Sequence, residues 1–112
     1  HNPIDIEDKK IEFDFAKYGT IGLESAFGAL NSLFTIKKTV EFLTKGKQRF
    51  GIDSYPIAIG NKADLSLFNP NESYVFSKEQ MISRSKNSMF EDKELKGRVY
   101  GIIGNNQVIL SK

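Results

Sequence analysis

Apolar residues recur at helical spacing between residues 23 and 34, and this pattern constrains the fold more than any other feature of the chain. They share one face of a predicted helix: Leu23, Ala26, Phe27, Leu30, Leu33 and Phe34. Glu24 lies in the first turn, where a carboxylate complements the helix dipole. A helix with one apolar face must bury it, so we expect this helix to pack on a sheet or a barrel.

A second helix is predicted to follow directly. Thr35 can cap its first turn, and three apolar residues then share one of its faces: Ile36, Val40 and Leu43. Gly46 weakens this helix, and Gly51 ends a short helical turn beyond it. The preceding residues 1–19 show no helical period. We interpret them as a loop, although the alternation over residues 11–15 also suits a short strand.

The character of the sequence changes after Gly51, so the chain divides near residue 52. Residues 64–68 and 73–76 predict two short strands, separated by the turn-forming run Asn69-Pro70-Asn71. Residues 77–93 are polar and predict an excursion loop that contains a helical turn. Residues 96–103 and 107–110 predict paired strands, because Gly104-Asn105-Asn106 tolerates the positive φ that a hairpin requires.

Composition excludes several classes of function. The chain has 16 basic and 14 acidic residues, interspersed, and a net charge of +2, so we expect no nucleic-acid partner. The basic run Lys45–Arg49 is interpreted as a solvated helix end. No window approaches the roughly 18 consecutive apolar residues of a membrane span, so no membrane partner is expected. The absence of cysteine excludes disulfides and thiolate zinc sites and fits a cytoplasmic protein.

The single histidine limits the chemistry of the chain further. A hydrolytic metal centre needs several converging histidines and carboxylates, and a Ser-His-Asp triad needs a well-held imidazole. His1 is the one imidazole, at the first position of the sequence. We therefore expect this stretch to hold no metal and no cofactor by itself, and to be catalytically inert.

Several motifs, in order, resemble the carboxyl-terminal end of a dihydroorotase, a member of the cyclic amidohydrolases. They are His1-Asn2-Pro3, Tyr18-Gly19-Thr20-Ile21-Gly22-Leu23-Glu24-Ser25, Ala63-Asp64-Leu65 through Pro70, Ser85-Lys86-Asn87-Ser88-Met89-Phe90, and Leu95-Lys96-Gly97-Arg98-Val99. The resemblance implies an α/β fold, namely the carboxyl-terminal fragment of a metal-dependent (β/α)8-barrel amidohydrolase. Residues 1–51 would be the last active-site loop and helices of the barrel domain. Residues 52–112 would be the carboxyl-terminal part of a small β-sandwich domain.

The resemblance also implies a reaction and a site for the longer protein. That protein would use zinc to interconvert dihydroorotate and N-carbamoyl-L-aspartate in de novo pyrimidine biosynthesis. The catalytic Asp of the family's Asp-His-x-Pro motif would lie just upstream of His1, so no catalytic or metal-binding residue is expected in this chain. Tyr18 and Gly19 match the family's substrate-binding main chain. A glycine lets the backbone approach a ligand, although Gly19 and Gly22 also suit a turn that only starts a helix.

One position departs from the family pattern. Many dihydroorotases have a second histidine after the proline of the motif, and it binds the substrate carboxylate, whereas Ile4 stands at that position here. Losing a contact to a charged group costs about 1.5–3 kcal/mol, or roughly 10- to 150-fold in affinity. The alternatives are a non-catalytic, dihydroorotase-like partner of aspartate carbamoyltransferase, or a hydrolase for another cyclic amide of the allantoinase or hydantoinase type.

Open apolar faces and strand edges predict self-association of the chain. Helices without their sheet, and strands without their neighbours, leave apolar faces and strand edges open. We therefore expect a homo-oligomer or self-association by strand exchange.

Overall fold

Helices and strands occupy separate halves of the chain, of which a computed structural model describes residues 1–111. Within these residues, three α-helices are followed by three β-strands: α1 (Ala26–Leu33), α2 (Ile36–Thr44), α3 (Gly46–Arg49), β1 (Leu65–Phe76), β2 (Lys93–Gly104) and β3 (Gln107–Leu110). Single 3-10 turns occur at Glu7–Lys9, Phe13–Phe15 and Lys78–Gln80. The loop interpretation of residues 1–19 is therefore confirmed, as is the helical turn within residues 77–93.

The strands form one antiparallel sheet in the order β1-β2-β3. The sequence predicts two strands over residues 64–76, but the structure has one, with an irregularity between Asn69 and Ser73. Pro70 lies in that irregularity, where its missing N–H costs no ladder bond, and pairing with β2 resumes at Ser73. Asn105 and Asn106 adopt φ of 48° and 59°, which confirms the predicted hairpin between β2 and β3.

Helix α1 packs on the sheet through Gly28, the Asn31 amide and the Phe27 ring, whose centroid lies 4.6 Å from that of Phe68 on β1. A Cβ on Gly28 would lie 2.7 Å from the Tyr74 hydroxyl oxygen. On β2, a Cβ on Gly97 would lie 2.7 Å from a ring carbon of Phe27. The buried Asn31 side chain donates hydrogen bonds of 2.9 Å to the carbonyl oxygens of Pro70 and Lys96. These contacts hold α1 against β1 and β2.

The predicted apolar face of the first helix is only partly correct. Leu23 lies in a turn before α1 and Leu33 at its end, and their exposed fractions are 72% and 78%. The helix begins at Ala26 because the preceding residues form a turn that connects the glycine-containing loop to the helix. Within the described residues, the buried apolar core is small. It consists of four residues: Ile21, Phe76, Met81 and Leu95.

Helix α2 leaves its apolar face open. The predicted cap is confirmed, since the Thr35 side chain accepts a hydrogen bond from the Lys38 amide. The three apolar residues of the predicted face are nonetheless all exposed: Ile36, Val40 and Leu43. The radius of gyration is 16.4 Å, whereas a compact domain of this length has about 13 Å. Among residues 1–111, no helix combines the length and the apolar character needed to cross a membrane.

Candidate functional site

Residues 18–22, which we call the glycine loop, precede the turn into α1 and have a conformation that requires glycine. Gly19 adopts φ of +135°, which side chains disfavour. A Cβ at this position would lie 2.7 Å from Nδ2 and 2.8 Å from Cβ of Asn2. The main chain at Gly19 therefore approaches a neighbouring segment more closely than any other residue type allows.

That neighbouring segment is the amino-terminal strip, residues 1–4. The Asn2 amide N–H donates to the Thr20 carbonyl at 2.8 Å, and Asn2 Nδ2 donates to the Tyr18 carbonyl at 3.0 Å. The imidazole Nδ1 of His1 accepts from the N–H groups of Gly22 and Leu23, at 3.0 and 3.1 Å. An accepting Nδ1 is unprotonated, and it satisfies two amides ahead of α1 that would otherwise lack partners.

On its other side, the glycine loop contacts residues 85–89, which we call the clamp segment. Asn87 Nδ2 donates to the Gly19 carbonyl at 3.0 Å. The Asn87 main-chain carbonyl accepts from the Ile21 amide at 2.9 Å and from the Thr20 hydroxyl at 3.1 Å. The Thr20 hydroxyl oxygen in turn accepts from the Met89 amide at 3.1 Å. The clamp segment thus fixes three consecutive residues of the loop.

These contacts determine which main-chain groups of the loop remain for a ligand. The peptide bonds of residues 1–111 are all trans, so each carbonyl points away from the N–H of the same peptide unit. Because the Tyr18 carbonyl faces Asn2 and the Gly19 carbonyl faces Asn87, the N–H groups of Gly19 and Thr20 point away from these two partners. Neither N–H takes part in the bonds described above. Each of these donors can bind a carboxylate or an amide oxygen.

Further contacts hold the amino-terminal end of the clamp segment and the residues just before it. The Ser85 hydroxyl donates to the Ile4 carbonyl at 2.6 Å. Just upstream of the segment, the Glu24 carboxylate accepts from the amides of Ile82 at 2.6 Å and Ser83 at 3.0 Å. Partial burial by itself would raise the pKa of Glu24. Hydrogen bonds from Ser83 and Ile82 and the nearby Lys86 charge together hold that pKa below its ordinary value.

The sequence-predicted site residues lie together in this region. Tyr18 and Gly19 are adjacent in the loop, and the Tyr18 side chain is 83% exposed. Ile4 is half-buried in the strip, and its carbonyl accepts a hydrogen bond from Ser85 of the clamp segment. Sequence reasoning assigned no role to Asn2, Thr20 or Asn87. The motif containing Asn87 was a family landmark, but its contact with the loop joins residues 68 positions apart.

No cluster of metal-ligating side chains lies at the loop among the described residues. Across residues 1–111, no three His, Cys, Asp or Glu side chains are grouped so that they could hold a metal ion. A cavity of about 680 Å³ lies elsewhere, between the helices, the 54–57 region and the sheet, and its lining includes Val40, Leu43, Tyr55 and Phe68. The glycine loop is not part of that lining.

Curated relatives match essentially the whole chain. It is 33% identical over 118 residues to a protein of Caldanaerobacter subterraneus named dihydroorotase, with 100% of this chain and 27% of that protein covered. Dihydroorotases of Clostridium acetobutylicum and Aquifex aeolicus are 34% and 30% identical, each over 97% of this chain and 27% of their own length. The chain thus spans about a quarter of the length of these relatives. No protein-family model matches it.

Proposed function

Because this chain is related to dihydroorotases along its whole length, we propose that it is one part of a longer dihydroorotase-like hydrolase. The longer protein would interconvert dihydroorotate and N-carbamoyl-L-aspartate, in the cytoplasm and within de novo pyrimidine biosynthesis. Residues 1–51 would complete the active-site end of a (β/α)8 barrel, and residues 52–112 would belong to a β-sandwich. The exposed face of α2 supports this arrangement, because a barrel strand layer would cover it.

The observation that supports a substrate role is the held geometry of the glycine loop. Its carbonyls are bound on both sides, while the N–H groups of Gly19 and Thr20 point away from those contacts. Both dihydroorotate and its product offer carboxylate and amide oxygens that can accept from such donors. In this chain the loop would bind and orient the substrate through its main chain, with Tyr18 beside it.

The bond-breaking groups would come from other parts of the longer protein. In hydrolysis, water adds to the ring carbonyl carbon, the carbon–nitrogen bond of the cyclic amide breaks, and the leaving nitrogen takes a proton. The resemblance assigns that proton transfer to an Asp immediately before His1. Zinc, which the family implies, would activate the water and polarise the carbonyl. The residues described here offer no cluster of ligands that fits it, so zinc would be held elsewhere.

The test is turnover by the full-length protein loaded with zinc, measured in both directions with dihydroorotate and N-carbamoyl-L-aspartate. The Gly19→Ala variant should lose about 10- to 150-fold in kcat/KM, because the added Cβ displaces Asn2 and tilts the substrate-facing amides. Gly60→Ala is the matched control: Gly60 also has positive φ, at +88°, but a Cβ there meets nothing within 4 Å. A zinc-loaded, folded protein without dihydroorotate turnover would defeat the proposal.

Ile4 favours a second candidate function. Its side chain cannot donate a hydrogen bond or bear charge, where many dihydroorotases bind the substrate carboxylate with histidine. The longer protein would then be a non-catalytic partner of aspartate carbamoyltransferase, or would act on another cyclic amide such as allantoin or a hydantoin. Turnover with those amides, or stable co-purification with the transferase together with no turnover, distinguishes these outcomes from the first candidate.

A further inference from the structure

We propose that Asn87 is a positioning residue, which fixes the peptide between Gly19 and Thr20 so that the Thr20 N–H faces the substrate; this role rests on the proposed function. Asn87 lies in the strand-rich half of the chain, whereas the loop lies in the helical half. The residue therefore joins the predicted sandwich to the substrate-facing side of the predicted barrel.

Asn87 holds the loop with two groups, the N–H donor of its side-chain amide and its main-chain carbonyl oxygen. Asn87 Nδ2 donates to the Gly19 carbonyl at 3.0 Å, which sets the orientation of the peptide between Gly19 and Thr20. The Asn87 carbonyl accepts from the Ile21 amide at 2.9 Å and sets the next turn of the chain. With trans peptides, these two bonds leave the Thr20 N–H directed to the opposite side.

The same carbonyl arrangement occurs one peptide earlier. Asn2 Nδ2 holds the Tyr18 carbonyl at 3.0 Å, so the Gly19 N–H also points away from its partner. Asn2 and Asn87 therefore bind the carbonyls of two successive peptides from two sides. Gly19, with φ of +135°, is the residue between these two peptides. Because the two partners approach from different sides, the two N–H groups also point to different sides, and each can donate separately to a carboxylate or an imide oxygen.

Hydrogen bonds to Ser85, and from Ser85 to Ile4, hold Asn87 in position for its contact with Gly19. The main-chain N–H of Asn87 donates to the Ser85 hydroxyl oxygen at 3.3 Å, and that hydroxyl donates to the Ile4 carbonyl at 2.6 Å. Asn87 is itself half-buried. A loop that is held in its binding conformation before the ligand arrives avoids the ordering cost of binding, so the contact improves affinity without touching the reacting atoms.

The experiment compares Asn87→Asp with the unaltered full-length, zinc-loaded protein. Aspartate has the same size and keeps the main-chain bonds, but its carboxylate cannot donate to the Gly19 carbonyl and repels it. KM for dihydroorotate should rise about 10-fold with kcat changed less than twofold, because binding is lost equally in ground and transition states. Backbone hydrogen exchange at residues 18–22 should accelerate, while exchange in β2 stays unchanged.

Asn61→Asp is the matched control, because Asn61 Nδ2 also donates to a carbonyl at 3.0 Å, that of Pro56, on an exposed loop away from the site. It should leave KM and the exchange of residues 18–22 unchanged. Unchanged KM and exchange in Asn87→Asp, in a protein that turns over dihydroorotate, would overturn this inference alone. Absence of turnover in the unaltered protein would instead defeat the proposed function, and with it the substrate role of Asn87.

Discussion

The close contact between α1 and β2 predicts a large loss of stability from a single added methyl group at Gly97. Gly97 has φ of +107°, and its Cβ would lie 2.7 Å from a ring carbon of Phe27 and 2.8 Å from Asn31 Nδ2. Backbone strain at such a φ costs about 1–3 kcal/mol. Displacing Asn31 also breaks its two hydrogen bonds, to Pro70 and Lys96, at about 1 kcal/mol each.

Gly97→Ala should therefore lower the free energy of unfolding by about 3–5 kcal/mol. Urea unfolding of the 112-residue chain at low protein concentration, followed by circular dichroism, measures this loss. At an m-value of about 2 kcal/mol per M, the midpoint should fall by about 2 M. Natural domains have a free energy of unfolding of roughly 5–15 kcal/mol in total, so this loss is a large fraction of the stability of the chain.

Two other glycines separate the terms of this prediction. Gly60→Ala should introduce backbone strain without a steric clash, because Gly60 has φ of +88° and a Cβ there meets nothing within 4 Å. It should cost about 1–2 kcal/mol. Gly46→Ala, in open space at the start of α3, should be neutral or stabilise by up to about 1 kcal/mol. If Gly97→Ala cost no more than Gly60→Ala, the packing of α1 on β2 described here would be refuted.

Three further predictions concern the site and the open surfaces. The pKa of Glu24 is lowered in the folded chain, so its contribution to stability is complete above the ordinary pKa of a glutamate and is lost as the pH falls below it. The free energies of unfolding of Glu24→Gln and the unaltered chain should therefore differ at neutral pH and converge in acid. A difference that stays constant with pH would contradict this. Ile4→His in the full-length, zinc-loaded protein should lower KM for dihydroorotate by about 10-fold or more, and an unchanged KM would show that another group binds the carboxylate. The exposed strand β3 (Gln107–Leu110) and the open face of α2 should make the 112-residue chain self-associate, which light scattering would contradict by finding a strict monomer at all concentrations.

Much of the fold could be predicted from the sequence because it depends on local patterns. Helical periodicity and the Thr35 cap located α1 and α2 to within a few residues. The Asn105-Asn106 pair, which tolerates positive φ, located the β2–β3 hairpin. The division of β1 into two strands was wrong, because a proline that ends most strands is accommodated here in a bulge between Asn69 and Ser73.

The construction of the site could be predicted only in part. Tyr18 and Gly19 were found through a motif, and Gly19 has the positive φ that explains a glycine there. The partners that hold the loop could not be found, because Asn2 and Asn87 act through main-chain carbonyls that any sequence possesses. The buried side of α1 was missed for a related reason. It is formed by Gly28 and Asn31, residue types that contribute nothing to an apolar period.

The crystal structure of the full-length protein with dihydroorotate bound would test the central claim most directly. The account predicts that the main-chain nitrogen of Gly19 or Thr20 lies about 3 Å from a ligand oxygen, with the Asn2 and Asn87 contacts intact. A ligand bound in the active site without any contact to residues 18–22 would contradict it.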